Sequence, residues 1–146
     1  MAQIKIYGLR TTLDQHRGAL ADAIHGAVMS ALQYPPEKRF QRYIALDPAD
    51  FLYPQDRSEH YLIIEISLFE DRSTPAKKDL IRQLFQRIGE HTGIHPPDIE
   101  ITLVTVPRND VYASLMQGRI DVSIIDDGMV PSGVAKLPLF RDDIFL

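Results

Sequence analysis

The chain has 146 residues, 45% hydrophobic and 25% charged, the composition of a soluble globular domain long enough to bury a core. Its net charge of −4, with acids interleaved among the basic residues, sets nucleic acid aside as the main partner, because phosphate binding needs a concentrated basic surface. No apolar run approaches the ~20 residues that span a bilayer, MAQIKIYGLR lacks the regions of a signal peptide, and the absence of cysteine fits a reducing cytoplasm.

Residues 3–8 are predicted as a first strand, with Ile4 and Ile6 on one face, Lys5 and Tyr7 on the other, and Gly8 as its breaker. Thr12, followed three residues later by Gln15, fits a capping box. Leu13, Leu20, Ile24, Val28 and Leu32 then recur at helical spacing, and Tyr34-Pro35-Pro36 ends that helix. Residues 39–46 resume as a strand before the Asp47-Pro48 loop. The next strand, 61–69, is a nearly continuous apolar run, as in strands covered on both faces or buried in an oligomer. Ser73 as cap and Pro75 in the first turn open a second helix, striped by Leu80, Ile81, Leu84, Phe85 and Ile88. Gly93 and Pro96-Pro97 stop it, and residues 98–106 alternate as a further strand.

Strand–helix–strand thus occurs twice. IKIYGLR before the first helix resembles IEISLFEDR before the second, with Arg10 and Arg72 in comparable places. Two βαβ units predict an α+β domain over residues 1–107, a mixed four-stranded sheet with two helices on one face. The opposite face is then expected to be apolar and to be buried by self-association. Residues 108–146 read as an extension, within the same domain or an arm to a neighbouring subunit. Its pattern suggests a helical turn over 111–118, a strand over 119–125, a turn over 126–133 and a returning strand over 134–140.

The loop between the second and third strands holds Tyr53, Asp56, Arg57 and His60; Arg39 and Arg42 precede it and Arg72 follows the third strand. Each arginine offers a bidentate fork to a small carboxylate, or else is a surface charge or an intersubunit ion pair. Tyr53 is either a donor to a carbonyl oxygen or a packed loop aromatic, and Asp56 reads as a structural partner of Arg57. The histidines show no metal-ligand spacing, since Gly93 and Pro96 interrupt any helix carrying His91 and His95. With no phosphate loop and no GxSxG, the expected chemistry needs neither cofactor nor metal.

The words PPEKRFQR (35–42), FLYPQDRS (51–58), IIEISLFEDRSTPAKK (63–78) and GIHPPDIEIT (93–102), set on the doubled βαβ order, resemble the tautomerase superfamily. That superfamily includes 4-oxalocrotonate tautomerase, malonate semialdehyde decarboxylase and macrophage migration inhibitory factor. The likeness covers residues 3–107 and is greatest to a tautomerase-like branch related to the decarboxylase. It implies a homotrimer with active sites at the starts of the first strands, near subunit boundaries. It also implies keto–enol isomerisation of a small anionic keto or enol acid, with Arg57 and Arg72 the favoured carboxylate binders.

The sequence departs from the family in its tail, at residue 70 and at its start. The chain has no Trp, and 108–113 (RNDVYA) stands where the branch has an aromatic, Gly- and Arg-containing segment, with Asn109 its one trace. Glu70 occupies the place of one arginine of the decarboxylase pair; Arg72 matches the other. The family's catalytic N-terminal proline is replaced by Ala2. Once Met1 is removed, the Ala2 amine is the expected base, since an α-amino group has a pKa of ~7.7–8.0 that neighbouring cations lower. As a primary amine it is also a Schiff-base nucleophile toward a keto acid. The alternatives are that Ala2 merely starts the strand of a non-catalytic homotrimer with a vestigial pocket, or that the chain is a decarboxylase or hydratase of the same superfamily.

Overall fold

The computed structural model describes residues 2–69 and 72–106; the elements expected beyond residue 107, Asn109 and Glu70 lie outside the described residues. The elements are β1 (Gln3–Leu9), α1 (Arg10–Leu32), β2 (Gln41–Leu46), β3 (Leu62–Phe69), α2 (Thr74–Thr92), a 3-10 turn (Pro96–Asp98) and β4 (Ile99–Val106). The sheet order is β2-β1-β3-β4, with β1 parallel to β2, β3 parallel to β4, and β1 antiparallel to β3. This is the predicted pair of βαβ units, joined back to back along the β1–β3 ladder. Each helix returns along its own strand, so α1 and α2 run antiparallel and the C-terminal end of one lies near the N-terminal end of the other.

Strand alternation explains the core. Ile4 and Ile6 of β1 and Leu62, Ile64, Ile66 and Leu68 of β3 point to the helices. They pack with Leu13, Leu20, Ile24, Val28 and Leu32 of α1 and with Leu80, Leu84 and Ile88 of α2 in one buried cluster. Each such side chain contributes roughly 1.5–3 kcal/mol through its burial.

Local expectations fail where a distant partner intervenes. α1 begins at Arg10, and its N-cap Leu9 makes no side-chain cap bond. Thr12 is instead buried inside the helix, and its hydroxyl donates to the Glu59 carbonyl at 2.7 Å, so no capping box forms. Gly8 does not break β1. It pairs with Ala45 and Leu62, and a Cβ there would meet Leu62 Cδ2 at 2.8 Å, so glycine admits close packing of the sheet on α1. β2 starts at Gln41, after a turn in which Lys38 N donates to Pro35 O at 3.1 Å.

The second face of the sheet is mixed, with Ile44, Ile63 and the exposed Val104 standing beside charged residues. β3 alternates buried with partly or fully exposed residues along its length, despite its apolar composition. The register brings Arg42, Lys5, Glu65 and Thr102 into one row across the open face. Lys5 bonds Glu65 at 3.5 Å and Tyr7 donates to Glu65 at 3.0 Å. At the other end of this face the chain covers itself, because Phe51 and Tyr61 pack with Leu9, and Leu46, Tyr53 and Ile63 rest against them.

Candidate active site

The start of β1 defines one end of the sheet. Ala2 is 3% exposed and packs into the main core, and the next anchor is Ile4 N donating to Phe40 O at 3.0 Å. α1 finishes at this end and α2 starts here, because Gln3 pairs with Ser67 near the end of β3. Between them lies an open cavity of about 310 Å³, lined by Ala31, Leu32, Gln33, Arg72, Ser73 and Ala76.

Arg72 is the cation of this cavity. Its Nη1 donates to the Leu32 carbonyl at 3.1 Å, a carbonyl exposed by the end of α1. The face of the guanidinium lies over the Tyr34 ring, 5.1 Å from its centroid, a cation–π arrangement that holds the plane of the fork. Ser73 caps α2 by accepting from Ala76 N at 3.3 Å, and the first turn carries no acid. The backbone N–H groups of that turn add positive potential beside Arg72.

The other expected site residues divide between the two ends of the molecule. Arg42 belongs to the Ala2 end but lies on the open sheet face, donating to Gln3 Oε1 at 3.2 Å. Arg39 is exposed and bonded to Asp22 of α1 at 3.0 Å. Tyr53 and Arg57 lie at the opposite end, one seven-residue strand away, a separation of about 20 Å. Tyr53 packs against Phe51 and Tyr61 at centroid distances of 5.5 Å and 5.5 Å. Arg57 bonds its neighbour Asp56 at 3.2 Å. One protomer therefore joins Arg72 with the Ala2 end and does not bring Tyr53 or Arg57 to them.

The loop carrying these two residues is fastened at several points. Asp98 accepts from Ser58 N and from Ser58 Oγ, each at 2.7 Å, and Thr12 holds Glu59 O. Tyr61 donates to Glu100; burial first and then this bond push its phenol up to about 12, so it is a protonated donor at neutral pH. His60 sits edge to face with His16, 5.7 Å between centroids, and its Nδ1 is buried without a hydrogen-bond partner among the described residues. Among the described residues no three His, Asp or Glu side chains gather where a metal ion could be held.

Gln33 and Tyr34 were not expected at the site, and their sequence signals are faint. Both sit in the segment where proline chemistry explains the end of α1, which hides any further role. Only the return of Arg72 over Tyr34, across 38 positions of sequence, reveals the cradle.

A double βαβ sheet with antiparallel helices on one face, in the order β2-β1-β3-β4, is the fold of a tautomerase-type protein. A family model described as Tautomerase enzyme matches residues 38–111, and the chain belongs to that family. The Bacillus subtilis (strain 168) protein named Probable tautomerase YusQ is 26% identical over 89 residues, 58% of this chain and 70% of that protein. Malonate semialdehyde decarboxylase has a similar structure, with a TM-score of 0.66 and 22% identity, over 81% of this chain and 98% of that chain. A fused 4-OT symmetric trimer gives 0.62 and 18% over 73% of this chain and 87% of that chain. At these identities the structural likenesses establish the fold. Among the described residues no helix is long and apolar enough to cross a membrane.

Proposed function

We propose that the chain is a cofactor-independent tautomerase that interconverts the keto and enol forms of a small 2-keto carboxylate. The observation that carries this reading is Arg72, oriented by Leu32 O and the Tyr34 ring in a cavity beside the α2 N-terminus, at the end where β1 begins. In this reading Arg72 binds the carboxylate through a charge-assisted fork. The amine of Ala2, freed by removal of Met1, takes a proton from the carbon next to the carbonyl. The C–H electron pair becomes the C=C bond, the carbonyl π pair moves to oxygen, and that oxygen takes up the proton; the reverse steps restore the ketone. Arg42 and Arg39 edge the same end of the fold and raise the local concentration of an anion. The chain forms a homotrimer, a reading supported by the trimeric assembly of the fused 4-OT structures, and in it Tyr53 and Arg57 serve a neighbouring copy's site.

Alanine in place of the family's proline supports a second reading, a homotrimer that binds a small acid without turning it over. The likeness to malonate semialdehyde decarboxylase keeps decarboxylation or hydration as a further outcome in the same cavity. Intact mass establishes whether Met1 is removed, and a phenylpyruvate enol–keto assay on wild type and Ala2→Pro then separates the readings. Turnover in wild type that vanishes when the amine is blocked is expected of the tautomerase. Silence in wild type with activity in Ala2→Pro would assign the chain to the binding reading.

A further inference from the structure

We propose that Gln33 is a specificity-determining residue of the Arg72 cavity, its side-chain amide contacting the oxygen on the carbon next to the substrate carboxylate. The inference rests on the carboxylate reading of the cavity given above and deepens it.

The backbone is the first argument. α1 and α2 end in the same way, each with a left-handed residue after the last turn. α2 uses Gly93 at φ 75, the residue this geometry favours because it has no Cβ. Space does not dictate glycine there, since a Cβ at Gly93 would meet nothing within 4 Å. α1 uses Gln33 at φ 54, ψ 44, and among the described residues no other non-glycine has a positive φ. The two positions correspond in the two βαβ halves, as do Arg10 and Arg72 at the helix starts. Arg10 bonds Asp47, and the contacts of Arg72 include Leu32 O and the Tyr34 ring. A left-handed residue that is not glycine thus occurs at the helix end that borders the cavity.

Chemistry is the second argument. Of the lining residues, Ala31 and Ala76 are apolar, Leu32 is buried in the core and offers its carbonyl, and Arg72 carries the charge; the Ser73 hydroxyl is engaged as the α2 cap. The Gln33 amide is exposed, makes no hydrogen bond among the described residues, and lies between two residues that touch Arg72. An amide is neutral and does not repel a carboxylate, and it offers both N–H donors and a C=O acceptor. It is therefore suited to a keto oxygen, which needs a donor, and to an enol hydroxyl, which needs an acceptor.

The test compares binding of 2-oxobutanoate and butanoate, which share the carboxylate and differ in that oxygen, by calorimetry on the full chain. Wild type is expected to prefer the oxo acid by about tenfold, the scale of one good hydrogen bond. Gln33→Gly is expected to bind the two acids alike, near the wild-type affinity for butanoate, and to melt no lower than wild type, because glycine relaxes the left-handed residue. Gln33→Met, similar in shape but without the amide, keeps the backbone strain and is expected to lose the preference as well. A preference retained in either variant overturns the inference. Equal binding of both acids by wild type, lost in Arg72→Ala, overturns it while leaving the carboxylate site intact. Binding of neither acid removes the carboxylate reading and this inference together.

Discussion

Arg72 and Tyr34 set the energetic scale at the level of single residues. A charged hydrogen bond to a carboxylate contributes about 1.5–3 kcal/mol, so Arg72→Lys, which loses the planar fork and its stacking, is expected to raise KM for a 2-keto carboxylate by about tenfold or more. The unfolding midpoint should barely move, which a thermal melt checks. Tyr34→Leu acts through Arg72 and is expected to raise KM by about threefold, on the scale of one cation–π contact, with Tyr34→Phe restoring the wild-type value. His16 governs a pH effect. Burial, and then the charge of His60, lower its pKa below the ordinary 6.5, so between the two values the folded chain binds fewer protons than the unfolded one. The associated stability is fully present above about 6.5 and is lost as pH falls through the folded value. Denaturant titrations from about pH 7 to about pH 5 should therefore show a shallower decline in His16→Gln than in wild type.

At the level of elements, the contacts that matter most are those no local rule supplies. Gly8→Ala would drive a methyl group to within 2.8 Å of Leu62 Cδ2 and 3.4 Å of Leu13. Both leucines are fully buried, and the expected cost is about 1–3 kcal/mol of stability, readable as a shift in the urea midpoint. Asp98→Ala removes both acceptors of Ser58, so hydrogen exchange in the 51–61 loop should accelerate while the amides of β1 and β3 keep their protection. The bounds of α2 were legible because Ser73, Pro75 and Gly93 act within a few residues of themselves. The start of α1 was not: the capping role expected of Thr12 is displaced by a carbonyl 47 positions along the chain. The apolar run of β3 likewise left open which faces are covered, which the register with β1 and β4 decided.

For the whole molecule, the open sheet face is divided by charge, with Lys5 and Arg42 on the β1–β2 side and Glu65 and Glu100 on the β3–β4 side. If copies of the chain meet through this face, light scattering should report a mass near three times 16.6 kDa that falls as salt screens the pairs. Glu65→Lys should weaken the assembly, so that on dilution it dissociates at a higher protein concentration than wild type does. The sequence by itself determined the doubled βαβ order, the two-helix face and the buried stripe of each element, because hydrophobic periodicity and proline–glycine punctuation act over short spans. It also singled out Arg72, but together with Arg57 and ahead of Arg39 and Arg42. Only the tertiary structure separated them: one is cradled at the end of α1, two lie on outer surfaces, and one sits across the sheet with Tyr53. Strand register and helix return decide which distant side chains share an end of the molecule, and neither is encoded within any single stretch of residues.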